Sequence, residues 1–215
     1  MTASKNWQIM PKDLFNMGPI VPVLVINNVE EALPIAEALL TAGIKVLEVT
    51  LRTSAALDVI SAIAKELPEA IVGSGTVTNR QQLQQSYDAG AKFAISPGLT
   101  KDLLQAGNEG NIALIPGISS ISELMDGADY GYDHLKFFPA EASGGVNAIK
   151  SIGGPFPDIR FCPTGGINMN NVRDYLALPN VVCCGGSWLV SNTIVENKNW
   201  SEITNLANQA LAHVR

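Results

Sequence analysis

Lys136 stands in Leu135-Lys136-Phe137-Phe138-Pro139, the middle of an apolar strand pattern. Burial disfavours an ammonium group, and a neutral amine is a nucleophile toward a carbonyl. The bland alternative is a strand-end lysine that reaches water along its own stem, the reading adopted for Lys45 and Lys92, which open their strands. Lys136 is instead followed by two aromatic residues and a proline, which puts its amine inside or near the top of the fold. Glu48 repeats the anomaly in Val46-Leu47-Glu48-Val49-Thr50. Strand alternation gathers Val46, Glu48 and Thr50 on one face and carries Arg52 to the same side in the following loop. A buried carboxylate is costly unless paired. Two readings stay open: a purely structural Glu48–Arg52 ion pair, or a general acid/base beside a cation that grips a substrate carboxylate. The second buried charge at Lys136 favours the latter.

Glycine-rich turns follow the last two apolar segments, Pro163-Thr164-Gly165-Gly166-Ile167 and Gly185-Gly186-Ser187-Trp188. Backbone N–H groups in such turns, beside a helix N-terminus, make a phosphate cradle. Glycine pairs also mark ordinary tight turns, which is reading enough for Gly144-Gly145 and Gly153-Gly154. Metal ligands are sparse: the histidines are His134 and His213, and neither His-x-x-His nor Cys-x-x-Cys occurs. Neither metal nor cofactor is expected, and carbonyl chemistry would rest on a lysine imine.

These residues need elements to hold them. Short apolar or β-branched runs alternate with amphipathic segments in the manner of repeated βα units. The expected strands are Ile20 to Ile26, Lys45 to Thr50, Ala70 to Gly75, Lys92 to Ser96, Ala113 to Ile115, His134 to Phe138, Arg160 to Cys162 and Val181 to Cys184. Helical period marks Glu30 to Thr41, Ala55 to Leu67 and the tail from Ser201 to His213. Thr78, Asn79, Thr100, Ser119 and Asn168 are good N-cap types, and Gly43 and Gly90 sit where helices should close. The expected fold is α/β, a (β/α)8 TIM barrel with an extra N-terminal helix, forming one domain over residues 1–215. A doubly wound open sheet competes, but neither G-x-G-x-x-G nor G-x-x-x-x-G-K-[ST] is present.

Composition narrows the class. With 215 residues, 47% hydrophobic and 16% charged, the chain can bury a sizeable core. A net charge of -6 and fourteen unclustered Lys and Arg argue against nucleic acid. No apolar run approaches the roughly 20 residues needed to span a membrane, and no signal peptide opens the chain, so a soluble, cytoplasmic protein is expected. Cys162, Cys183 and Cys184 cannot pair completely and read as small buried hydrophobes.

Gly43-Ile44-Lys45-Val46-Leu47-Glu48-Val49-Thr50-Leu51-Arg52 and Leu135-Lys136-Phe137-Phe138-Pro139-Ala140-Glu141 strongly resemble the 2-keto-3-deoxy-6-phosphogluconate (KDPG) and 4-hydroxy-2-oxoglutarate aldolase family. The likeness continues through Gly75-Thr76-Val77, Ile95-Ser96-Pro97-Gly98, Ile115-Pro116-Gly117 and Phe161 to Gly166, and on to Gly185 to Leu189. It covers essentially the whole chain. The resemblance implies a class I aldolase on a barrel, a homotrimer, acting on a sugar-acid phosphate in the Entner-Doudoroff pathway. It implies Lys136 as the Schiff-base lysine and Glu48 as the general acid/base. Arg52 and Thr76 would hold the pyruvyl carboxylate, Pro97, Phe138 and Thr164 would line the site, and Gly165, Gly166, Gly186 and Ser187 would receive the phosphate. The rivals are a phosphate-binding barrel isomerase or decarboxylase without a covalent intermediate, and a non-catalytic sensor of a sugar phosphate.

Overall fold

The structure, a computed structural model, describes residues 6–215. A short helix α1 (Pro11–Phe15) leads into strand β1 (Ile20–Leu24), after which helices and strands alternate. The first half comprises α2 (Ala32–Thr41), β2 (Val46–Thr50), α3 (Ala56–Glu66), β3 (Ile71–Gly75), α4 (Arg80–Asp88), β4 (Phe93–Ile95) and α5 (Lys101–Glu109). The second comprises β5 (Ala113–Ile115), β6 (Gly117–Ile118), α6 (Ile121–Asp129), β7 (His134–Phe137), α7 (Gly145–Ile152), β8 (Arg160–Pro163), α8 (Val172–Leu176), β9 (Cys184–Gly186), α9 (Asn192–Glu196) and α10 (Trp200–Val214).

Every strand pairing is parallel, so the C-terminal ends of the strands gather on one side. The order is β5-β4-β3-β2-β1-β9 in one curled sheet and β6-β7-β8 in another. Pro116 divides what would otherwise be one strand. It has no N–H to give, but its carbonyl accepts from Lys136 N at 3.0 Å, so β5 pairs with β4 while β6 pairs with β7. The segment 180–186 also faces both ways. Val182 N donates to Phe161 O at 3.1 Å and Cys184 N to Pro19 O at 2.8 Å.

The strands expected at β1, β2, β3, β4 and β7 are present with trimmed ends, β5 has the expected bounds, β8 runs one residue further to Pro163, and the last one is shifted. Apolar Val181 to Cys183 holds a single bridge to Phe161, and the strand itself runs Cys184–Gly186, through glycines that carry no strand signal. The helix expected from Glu30 begins as a 3-10 turn, Val29–Glu31, before α2. Asn79 and Thr100 cap α4 and α5, accepting from Gln82 N and Leu103 N. Ser120 caps α6 where Ser119 was expected, because Glu123 reaches back to accept from both serine N–H groups in a capping box. Asn168 caps no helix; it accepts from Asn170 N in a turn, and Asn171 occupies the N-cap of α8. Gly43 and Gly90 close α2 and α4 at φ +91° and +93°.

Helix α3 shows how the outer layer attaches: Ala56, Val59, Ile60 and Ile63 are buried, whereas Asp58, Lys65 and Glu66 face water. Helix α1 packs at the N-terminal end of β7, with Phe15 edge-on to His134 at 5.3 Å. Among the described residues no helix is long and apolar enough to cross a membrane.

All three cysteines are free and buried. A hydrogen bond with Cys162, then burial, pushes the Cys183 thiol well up, and burial does the same for Cys184. The thiolate is the reactive form, so the native thiols should resist an aromatic disulfide reagent at pH 8 and react once the chain is unfolded in guanidinium. Prompt reaction of Cys183 or Cys184 in the native protein would contradict this packing.

Candidate active site

Strand β2 is buried along its whole length, and one residue in it is a carboxylate. Glu48 lies in register with Val23 on β1 and Gly73 on β3. Lys136, on β7, lies in register with Gly117 on β6 and Cys162 on β8. Their side chains meet: Lys136 Nζ donates to Glu48 Oε1 at 3.0 Å. Glu48 is 1% and Lys136 5% exposed, so the contact is shielded from water on nearly every side. The Lys136 amine also lies 5.4 Å from the centroid of the Phe138 ring, which favours a cation there.

The meeting requires space, and Gly75 supplies it. A Cβ at Gly75 would sit 2.2 Å from Glu48 Oε1 and 2.7 Å from its Cγ. The next residue, Thr76, adopts φ +61°, a left-handed conformation that a β-branched residue rarely takes and that carries strain of about 1–3 kcal/mol. Strain of this kind concentrates where the chain must aim a particular group.

Arg52 follows β2 and is exposed; among the described residues it has no ion-pair partner. The structural Glu48–Arg52 pair is therefore not formed. Glu48 is taken by Lys136, which leaves the guanidinium free for an anion. Two hydroxyls fix this end of β2 to the end of β1: Thr50 Oγ1 donates to Leu24 O at 2.9 Å and Thr53 Oγ1 to Ile26 O at 2.7 Å.

Thr164, just beyond β8, is buried, and its Oγ1 has no hydrogen-bond partner among the described residues. Gly185 approaches it so closely that a Cβ there would lie 2.2 Å from Oγ1. A buried hydroxyl without a partner calls for one, and a bound ligand can supply it. Gly165 turns at φ +102° beside Phe138, and Gly166 at φ +80°. Pro97 follows β4, and its carbonyl lies beside Gly117, the neighbour of Lys136. Gly186 ends β9, under the Trp188 ring, and Ser187 is exposed just beyond it. Each candidate residue thus stands in or just beyond the C-terminal part of a strand. Contacts join Lys136, Glu48 and Phe138, whereas Arg52, Thr76 and Ser187 sit on the surrounding loops.

The arrangement suits proton transfer and nucleophilic attack at one place. A carboxylate 3.0 Å from an amine can take its proton and hand it to a hydroxyl or water brought against the pair.

Comparison with known proteins assigns the chain. The profile of the KDPG and KHG aldolases matches residues 12–206. The chain belongs to the KDPG and KHG aldolase family. A 2-dehydro-3-deoxy-phosphogluconate aldolase of Pseudoalteromonas atlantica is 66% identical over 209 residues, covering 97% of each chain. The KDPG aldolase of Legionella pneumophila, solved with pyruvate captured as a covalent carbinolamine, superposes with a TM-score of 0.94 at 50% identity, over 95% of this chain and 100% of that one. The Zymomonas mobilis KDPG aldolase, solved with 3-phosphoglycerate, gives a TM-score of 0.89 at 45% identity, over 95% and 96%.

Gly75 has no role assigned by the sequence, yet Glu48 packs directly against it. Its signal was present: a glycine ending a strand, beside a strand that carries a buried carboxylate. Gly75→Ala should lower unfolding stability in denaturant by about 1–3 kcal/mol through overpacking. Gly18→Ala, where a Cβ meets nothing within 4 Å, is the control and should leave stability unchanged. Equal behaviour of the two variants would contradict the close approach of Glu48.

Proposed function

We propose that this family member is a class I aldolase in which Lys136 is the Schiff-base lysine and Glu48 the general acid/base. It cleaves 2-keto-3-deoxy-6-phosphogluconate to pyruvate and glyceraldehyde 3-phosphate, and 4-hydroxy-2-oxoglutarate to pyruvate and glyoxylate. The observation that carries the reading is the buried 3.0 Å contact between the two side chains. The carbinolamine in the Legionella relative, the product of amine addition to a carbonyl, supports it.

Glu48 takes a proton from the Lys136 ammonium, and the neutral amine adds to the C2 ketone of the substrate. The carbinolamine loses water, with Glu48 returning the proton to the departing hydroxyl, and an iminium results. Glu48 then removes the proton of the C4 hydroxyl, the C3–C4 bond breaks, and its electron pair flows into the iminium to form an enamine as the aldehyde leaves. Protonation at C3 and hydrolysis release pyruvate and restore the amine. Arg52, charged throughout, and Thr76 hold the pyruvyl carboxylate. Pro97, Phe138 and Thr164 line the site, with Oγ1 of Thr164 given the partner it lacks. Backbone N–H groups of Gly165, Gly166 and Gly186, with Ser187, receive the phosphate. The phosphorylated three-carbon acid held by the Zymomonas relative supports this half of the site.

The domain expected over residues 1–215, of which 1–5 lie outside the described residues, would be a closed (β/α)8 barrel with α1 as an extra N-terminal helix. The bridges Phe161–Val181 and Thr164–Gly185, with the split at Pro116, support closure. A cytoplasmic homotrimer completes the proposal, by likeness to the family.

Lys136→Ala should lower aldol cleavage, followed as pyruvate release, by at least about a thousandfold. It also strands the Glu48 charge, at a cost of about 3–5 kcal/mol, so circular dichroism must first show a folded variant. Glu48→Gln should slow solvent exchange of pyruvate methyl protons by about 100-fold or more. Near-normal cleavage by folded Lys136→Ala, or unchanged exchange in Glu48→Gln, would remove the respective assignment.

A further inference from the structure

Outside the Lys136–Glu48 pair, Glu141 links the segment after β7 to the glycine turn after β8 and to α8. Glu141 lies five residues beyond Lys136, and its backbone N–H donates to Gly165 O at 3.1 Å. Its Oε1 accepts a short hydrogen bond from the hydroxyl of Tyr175 on α8. Tyr175 is fully buried, and burial, then the bond to Glu141, pushes its hydroxyl up, which keeps it a donor. The Gly166 turn rests directly on the stem of Glu141: a Cβ at Gly166 would lie 2.5 Å from Glu141 Cγ and 2.8 Å from its Cβ. From the other side the Gly166 carbonyl accepts from Asn168 Nδ2 at 3.2 Å and Asn171 Nδ2 at 3.1 Å. The turn is clamped between two asparagines and one glutamate.

We propose that Glu141, anchored by Tyr175, is a positioning residue that holds the Gly165–Gly166 turn ready for the phosphate and so favours phosphorylated substrates. The inference rests on the reading of that turn as part of the phosphate cradle. The lysine side of the site does not depend on the carboxylate. Phe138 N donates to Ile118 O at 3.0 Å, Ala140 N to Thr164 O at 2.8 Å and Gly145 N to Ala140 O at 2.9 Å, all through backbone alone. Loss of the clamp therefore falls on the aldehyde half of the substrate.

The test compares 2-keto-3-deoxy-6-phosphogluconate with its unphosphorylated counterpart in steady-state kinetics of the full-length protein. Glu141→Ala and Tyr175→Phe should raise KM for the phosphorylated substrate about tenfold. KM for the unphosphorylated one, and solvent exchange of pyruvate methyl protons, should stay within about twofold. Glu141→Gln, which keeps the stem and an accepting oxygen, should restore most of the loss. If the variants weaken both substrates equally, or leave the preference for phosphate intact, Glu141 has no such role. If the wild-type protein itself shows no preference for the phosphate, the reading of the glycine turns fails, and this inference with it.

Discussion

A carboxylate and an amine 3.0 Å apart, both withdrawn from water, set the terms for the rest of this molecule. Removing such a pair from solvent costs several kcal/mol per ion, and mutual attraction offsets this only with good geometry. Apolar side chains of similar volume would hold the strands together as well or better. The pair is thus poorly explained as a source of stability and well explained as chemistry, since proton transfer and amine attack both gain from a dry, fixed geometry. Its neighbours fit that purpose. Gly75 leaves room for the carboxylate, the Phe138 ring faces the amine, and the protonated thiol of Cys183 adds no charge to the buried interior.

Parallel topology turns this local pair into a site. With every strand running the same way, a residue placed late in any strand reaches the same end of the fold. Arg52, Thr76, Pro97, Phe138, Thr164 and Ser187 come from six different strand ends, so each can vary its loop without disturbing the core. At the opposite end α1 places Phe15 against His134, whose ring nitrogen meets Asp133 at 2.7 Å.

Much of this was legible in the chain itself. Charges inside apolar strands announced Glu48 and Lys136 as buried charges, and β5 has the bounds expected of it, Ala113–Ile115. The contact between the two charges was not legible, because 88 residues separate them and only strand order brings β2 and β7 face to face. That left Arg52, four residues from Glu48, as the visible partner, although the structure pairs Glu48 elsewhere. The final strand was misplaced for a related reason. Val181 to Cys183 look more strand-like than Cys184 to Gly186, yet the glycines are what let Thr164 and Trp188 approach the backbone. The bond from Tyr175 to Glu141 had no local signal either, since tyrosine in a short helix usually reports packing alone.

Borohydride trapping with pyruvate, followed by peptide mass mapping, tests most directly whether one lysine forms a covalent bond with the keto acid. Only an imine between an amine and the ketone is reduced to a stable adduct under these conditions. A single adduct on Lys136 is the expected result. Full occupancy by pyruvate with no labelled lysine, or a label on another lysine such as Lys45, would contradict it.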